Sequence, residues 1–250
     1  MELRLRREIT VWKRLRHPNV VRLMGTVCNV SSGCGMVSMW MARGSLHQYL
    51  KTKYLKTKRP TDAECIQLVM HSQGVIHGDL TTCNVLINDK GSACITDFGL
   101  SIIQEEFQGT SFITTTVSAA MRFRAPELLP AADTKLNAQF KAVLTFQSDV
   151  YSLGSVFLEV FSGVPPYYNI DNDICVFLAR IRGDSPGRPI RNAFKDEYWE
   201  LMKRCWVEPA SRPSAKQLHD ALRSLSRVSL RFLPYDHFAT TLFVTFPVIP

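Results

Sequence analysis

The stretch from Val150 to Phe161, VYSLGSVFLEVF, is apolar on nearly every face of a helix. A helix with one apolar stripe can lie on a surface, but one that is apolar all round has to be surrounded. The chain must therefore build its other elements about a buried central helix. With 46% hydrophobic residues it has enough material for a sizeable core, and that share argues against disorder.

The elements available to surround that helix change character along the chain. Leu3 to Arg16 has a helical period, with Leu5, Glu8, Ile9, Trp12 and Leu15 on one face and basic residues around the rest. Glu8 thus sits inside an apolar stripe, and His17-Pro18-Asn19 ends the helix. Val20 to Val27 and Met36 to Met41 read as strands joined by a turn at Ser31-Ser32-Gly33-Cys34-Gly35. That turn lacks the third glycine of a phosphate loop and no helix opens after it. A short helix follows from Gly44-Ser45-Leu46 to about Leu50, then a basic loop, then a helix from Thr61 or Asp62 to about His71. Val75-Ile76, Val85-Leu86-Ile87 and Ala93 to Thr96 read as short strands. Leu100 to Arg124 is rich in Ser and Thr without periodicity, as expected of a mobile loop. Glu197 to Cys205 and Ala215 to Leu225 are amphipathic helices. The sum is a small sheet followed by many helices, an α+β chain.

Charge and cysteine content exclude some functions. The formal net charge is +8, concentrated at Arg4, Arg6, Arg7, Lys13, Arg14, Arg16 and Arg22 and again at Lys51, Lys53, Lys56, Lys58 and Arg59. Neither cluster is interleaved with aromatics or belongs to a nucleic-acid motif, so no nucleic-acid partner is expected. The seven cysteines include no Cys-x-x-Cys pair, which disfavours a disulfide framework or a zinc site and suits a reducing compartment. The first residues are charged rather than signal-like, and no apolar run is long enough for a membrane span.

The chemistry concentrates in His77-Gly78-Asp79, Asn84 and Asp97-Phe98-Gly99. An Asp, an Asn five positions on, and a second Asp before Phe-Gly supply one carboxylate to orient a hydroxyl and two oxygen ligands for a hard cation. Taken alone, Asp79 and Asp97 could equally be turn or cap carboxylates. They belong, however, to an ordered set with Glu8, His17-Pro18-Asn19, Gly44-Ser45-Leu46, Ala125-Pro126-Glu127, Ser148-Asp149-Val150-Tyr151-Ser152, Cys205-Trp206 and Ser211-Arg212-Pro213.

That set resembles the eukaryotic protein kinase domain over about residues 1–227, and Cys205-Trp206 with Arg212-Pro213 resembles its tyrosine kinase and tyrosine-kinase-like branches. The resemblance implies a protein kinase-like α+β fold. A small-lobe remnant of one helix and two strands (1–40) would lead through a hinge (39–43) to a mainly helical large lobe (44–227), followed by an apolar tail (228–250). It implies ATP and Mg2+ as cofactors and phosphoryl transfer to Ser, Thr or Tyr hydroxyls of proteins. Asp79 would orient the acceptor hydroxyl, Asn84 would hold a second magnesium and brace the loop, and Asp97 would hold the magnesium that bridges the phosphates. Ser38 would be the gatekeeper, with Met39 to Met41 holding adenine, and Glu8 the glutamate that pairs with a phosphate-gripping lysine. Glu127 with Arg212 would be a buried ion pair, Asp149 would bind the backbone of the Asp79 loop, and His77 would pack beside Phe98. A cytoplasmic monomer acting on a protein substrate or partner is expected.

Several positions depart from the family. Only seven residues precede Glu8, so the glycine-rich strand and the lysine strand are not in these 250 residues; Glu8 then lacks its family partner, and buried unpaired it would tend to protonate or turn outward. Gly78 replaces the usual Arg, making a non-RD variant; Thr81 and Cys83 replace loop cations; Ala120 replaces a hydroxyl residue; Arg124 replaces an apolar residue. The 60–71 helix is about half the expected length, and 130–147 contains an insertion. Three readings remain: a kinase completed by strands outside these residues, a pseudokinase binding module, or a mis-spliced product without activity. For the 250 residues alone, no Mg·ATP-dependent thermal shift is expected.

Overall fold

The computed structural model describes residues 2–30, 33–56, 75–99, 119–130, 142–190 and 194–230. The 61–71 helix, the 100–118 loop, most of the 130–147 insertion and 231–250 lie outside the described residues.

The chain opens with α1 (Glu2–Arg14), which buries Val11 and Trp12 and half-buries Leu5, Glu8, Ile9 and Leu15. The sequence reading omitted Val11, the most deeply buried residue of this helix. Glu8, expected to lack its family lysine and to protonate or turn outward rather than stay buried and unpaired, is half-buried and engaged in an interaction.

Past α1, the His17-Pro18-Asn19 turn joins two parts of the molecule. Asn19 Nδ2 donates to the Ala93 carbonyl at 2.8 Å, and the Asn19 carbonyl accepts from Ile95 N at 2.8 Å. Val21 N then donates to the Ile95 carbonyl at 2.9 Å. Strands β1 (Leu23–Val30) and β2 (Gly33–Ser38) form an antiparallel hairpin, so β2 stops at Ser38 and Met39 to Met41 are not strand.

Helix α2 runs Leu46–Lys56, past the expected end at Leu50. Leu46 and Leu50, one turn apart, are buried, and the lysines read as a loop continue the helix. Lys is a good helix former that keeps its charged head in water. Val75-Ile76 is not a strand; only Ile76 makes an isolated bridge. Strands β3 (Val85–Ile87) and β4 (Ala93–Ile95) pair antiparallel around a turn closed by Asn88 Oδ1, which accepts from Ser92 N at 2.8 Å.

The central helix α3 (Phe146–Ser162) is as expected, with fourteen of its 17 residues buried. Thr145 and Ser148 form a reciprocal capping box at its start, and Gly163, at φ 75°, ends it. Around it lie α5 (Asp196–Cys205) and α6 (Ala215–Leu230), preceded by α4 (Asp173–Ile181), which the sequence reading missed. The available signal for α4 was Asn172, whose side chain caps Ile174 N at 2.7 Å. Helix α6 reaches Leu230, so residues 228–230, the start of the expected apolar tail, are helical.

Two apolar clusters result. The larger gathers α2, β3, β4, α3, α5 and α6, with Phe161 stacked on Tyr198 at 4.3 Å. The smaller holds Val11, Trp12, Val21, Cys94 and Phe98. The Asp79 loop and Asp97 sit between them.

Candidate active site

The Asp79 loop is held from below by the central helix. Asp149, in the first turn of α3, accepts from His77 N at 2.6 Å and Gly78 N at 2.9 Å, one bond to each carboxylate oxygen. Burial pushes the Asp149 carboxyl above its ordinary range, opposed by neighbouring His77 and by the two N–H donors, which favour the charged form. Gly78 has φ 80°, a conformation that glycine adopts without strain.

His77 fixes the other side. Its Nε2 lies 3.0 Å from the Thr96 carbonyl, which can only accept, so the proton is on Nε2. Its Nδ1 then accepts from Asp79 N at 3.3 Å. The ring packs 5.3 Å from Phe98, which in turn lies 5.7 Å from Trp12. With both nitrogens bonded to backbone, His77 orients the loop, and the expected packing beside Phe98 is observed.

Asn84 Nδ2 donates to the Asp79 carbonyl at 2.9 Å and lies 3.5 Å from Asp79 Oδ2. The amide's donors thus face Asp79, which leaves its oxygen to face a cation. Thr96 N donates to the Asn84 carbonyl at 3.0 Å, bringing the end of β4 against the loop. Asp97 follows, exposed, with φ 63° and its Oδ1 3.4 Å from Gly99 N. Phe98 is buried, so anchoring its ring turns the preceding carboxylate outward. The structure thus links Asp79, Asn84 and, through Thr96, Asp97.

One member of the site was missed. Arg124, almost fully buried, places Nη2 3.3 Å from Asp79 Oδ1. The sequence reading noted Arg124 only as a substitution, and found the loop empty of cations. The cation comes instead from 45 residues downstream, beside Ala125.

The remaining expected residues lie nearer α1 and β2. Ser38 is exposed at the end of β2, Met39 N donates to the Arg22 carbonyl at 3.4 Å, and the Met41 carbonyl accepts from Gly44 N at 3.0 Å. Glu127 and Arg212 form the expected ion pair: both guanidinium Nη atoms bond the carboxylate, Nη2 at 2.9 Å, and Nε donates to the Val207 carbonyl at 2.8 Å.

Chemically, this donor set is oxygen from two carboxylates and one amide, which suits a hard divalent cation that completes its shell with phosphate and water. Among the described residues no three His, Cys, Asp or Glu side chains gather into a protein-only metal cage.

The sequence profile described as protein tyrosine and serine/threonine kinase matches residues 2–222. This chain belongs to that protein kinase family. The kinase domain is similar to three curated proteins in particular. It is 28% identical over 240 residues to the Probable serine/threonine-protein kinase drkB of Dictyostelium discoideum, covering 92% of this chain and 32% of that protein. It is 30% identical over 223 residues to drkD of the same organism, covering 86% and 16%. It is 26% identical over 248 residues to the Serine/threonine/tyrosine-protein kinase HT1 of Arabidopsis thaliana, covering 96% and 59%. The chain spans less than two thirds of the length of each of these relatives. The small lobe of this kinase domain is reduced to α1, β1 and β2 among the described residues. No helix among those residues is long and apolar enough to cross a membrane.

Proposed function

We propose that these residues form the acceptor-and-metal half of a protein kinase active site, acting in ATP-dependent phosphoryl transfer to Ser, Thr or Tyr hydroxyls of proteins. The observation that carries the reading is the Asp79–Asn84–Thr96 hydrogen-bond chain, which holds two candidate oxygen ligands beside a carboxylate that can orient a hydroxyl. Magnesium, when bound with the nucleotide, neutralises charge on the transferring phosphoryl group. Asn84 and Asp97 would hold it. Asp79 would accept the hydrogen bond of the attacking hydroxyl and so aim its oxygen. Arg124 would hold the Asp79 carboxylate in place. Ser38, Met39 and Met41 would border the adenine.

In this reading the glycine-rich strand, and the lysine that would pair with Glu8, come from outside these 250 residues. The similarity of the kinase domain to proteins named as serine/threonine kinases supports the substrate class. A cytoplasmic setting and a monomeric state belong to the same proposal.

A second reading is favoured by one observation: Gly78, Thr81 and Cys83 leave the loop itself without a cation. A pseudokinase would keep the fold for binding a protein partner. The experiment measures transfer of labelled phosphate from ATP to casein, using the 250 residues alone and extended by the preceding coding sequence. The extended protein is expected to be active and to lose activity with Asp79→Ala, Asn84→Ala or Asp97→Ala, while the 250 residues alone give no Mg·ATP thermal shift. Equal labelling by the extended protein and its Asp79→Ala variant would overturn the kinase reading in favour of the binding module.

A further inference from the structure

Arg180 lies where a cation is costly. It sits near the end of α4, only 1% exposed, with the rings of Tyr151 and Tyr167 5.2 and 5.7 Å from its guanidinium carbon. Both tyrosines are themselves buried. Nη1 donates to the Met121 carbonyl, while Nε and Nη2 make no hydrogen bond. The desolvation of a buried charge is offset only by a full set of partners, and an apolar side chain of similar volume is often as stable or more so. Packing alone therefore does not account for a guanidinium here, and a buried group left unsatisfied points to a further role.

The Met121 carbonyl has a second donor, Arg124 N, at 3.3 Å. A carbonyl oxygen offers two lone pairs, so both bonds stand together. Arg124 is the residue whose Nη2 lies 3.3 Å from Asp79 Oδ1. One oxygen atom thus joins α4 to the backbone of the residue that meets Asp79. The 3-10 turn Ala119–Arg122, which carries Met121, is also held through its last residue. Arg122 Nε pairs with Asp173, at the start of α4, at 2.9 Å; Nη1 donates to the Tyr167 carbonyl at 2.9 Å and Nη2 to the Ile170 carbonyl at 2.8 Å. Tyr167 has φ 56°, a conformation that bulky residues avoid. Its hydroxyl donates to the Asp184 carbonyl at 2.7 Å. In that pose its own carbonyl meets Arg122 and its ring covers Arg180. The buried cation and the strained tyrosine serve the same turn.

We propose that Arg180 is a positioning residue: from α4 it fixes the Met121 carbonyl, and through it Arg124, so that the Arg124 guanidinium stays on the Asp79 carboxylate. Its effect on turnover rests on the kinase reading; its effect on the 121–124 backbone does not.

The test places Arg180→Met and Arg180→Lys in the 250-residue chain and follows amide hydrogen exchange at residue level beside thermal melting. In Arg180→Met, exchange at the Arg124 amide is expected to quicken by about tenfold, the scale of one lost hydrogen bond, while the α3 amides and the melting temperature hold. Arg180→Lys keeps a donor and should restore much of the protection. In the extended protein, Arg180→Met should lower kcat on casein by about tenfold with KM for ATP unchanged. It should add little to Arg124→Met, because the two act as one unit. Equal protection of the Arg124 amide in Arg180→Met and the parent overturns the proposal. So does faster exchange spread evenly over α3 and α4 in the Met and Lys variants alike, which would make Arg180 structural only. If the extended protein shows no transfer that depends on Asp79, the kinase reading fails, and the exchange result still decides whether Arg180 positions Arg124.

Discussion

The guanidinium of Arg124 lies 3.3 Å from the carboxylate of Asp79, the residue proposed to orient an acceptor hydroxyl. Arg124 is 8% exposed and Asp79 23%, so the pair is partly shielded from water and its attraction is screened less than on the surface. The contact holds Asp79 Oδ1 and leaves each carboxylate oxygen with acceptor capacity for a hydroxyl.

Replacing Arg124 with Met removes this hold while keeping much of the side-chain volume. In the extended protein, on the kinase reading, we expect kcat to fall by about tenfold or more, the scale at which a mispositioned group affects turnover. Arg124→Lys should recover part of the loss. The measurement is steady-state transfer to casein beside thermal melting. A matching loss of melting temperature in both variants, with kcat unchanged, would show the contact to be structural only.

Asp149 bonds two buried backbone N–H groups at once. Asp149→Asn keeps the shape but offers one acceptor oxygen in place of two. Leaving one buried donor without an acceptor costs on the order of 1–3 kcal/mol. Urea unfolding should report that loss, and Asp149→Ala should lose more. An Asn variant as stable as the original would mean that the loop draws its position from elsewhere.

Gly154 of α3 packs against the end of α5 at Cys205. A β-carbon there would lie 2.5 Å from Cys205 Cβ, on a neighbouring helix that cannot simply rotate away. Alanine improves helix propensity by about 1 kcal/mol, but overpacking of this kind costs about 1–3 kcal/mol. Gly154→Ala should therefore be neutral to destabilising and Gly154→Val clearly destabilising, by chemical denaturation. Gly187→Ala, with nothing within 4 Å, serves as the harmless comparison.

His47 Nδ1 lies 2.6 Å from Glu159, a buried carboxylate that also accepts from Thr82 Oγ1 at 2.8 Å. This joins α2, the Asp79 loop and the central helix. The Glu159 hydrogen bond raises the His47 pKa above 6.5, helped by the Glu159 charge and opposed by partial burial and Lys51. Because the folded value is the higher one, the stabilisation is complete below the unfolded value and is lost as pH rises through the folded one. Melting temperature should fall as pH rises above the ordinary imidazole value, and the His47→Gln variant should show a smaller fall. The ring is 44% exposed, so the effect is expected to stay below about 1 kcal/mol. Identical pH slopes in the two proteins would remove His47 as the cause.

Much of the site was legible because its chemistry is local. Asp79, Asn84 and Asp97 are identified by short motifs, and Glu127 with Arg212 by their place in an ordered set. Periodicity likewise identified α1, α3, α5 and α6, since a helix states its buried face every turn. The same reasoning failed where context decides: α2 outran its expected end because Leu46 and Leu50 anchor it, and α4 passed unnoticed.

The sequence by itself therefore determined the family, the central helix and the residues able to meet a hydroxyl and a metal. It did so through spacing and residue chemistry, which survive without coordinates. Only the tertiary structure decided that Arg124 meets Asp79, that Asp149 carries the loop, that Glu8 is half-buried and engaged, and that Arg180 bonds the Met121 carbonyl. Each is set by positions distant along the chain, and no local pattern encodes which distant group burial will bring alongside.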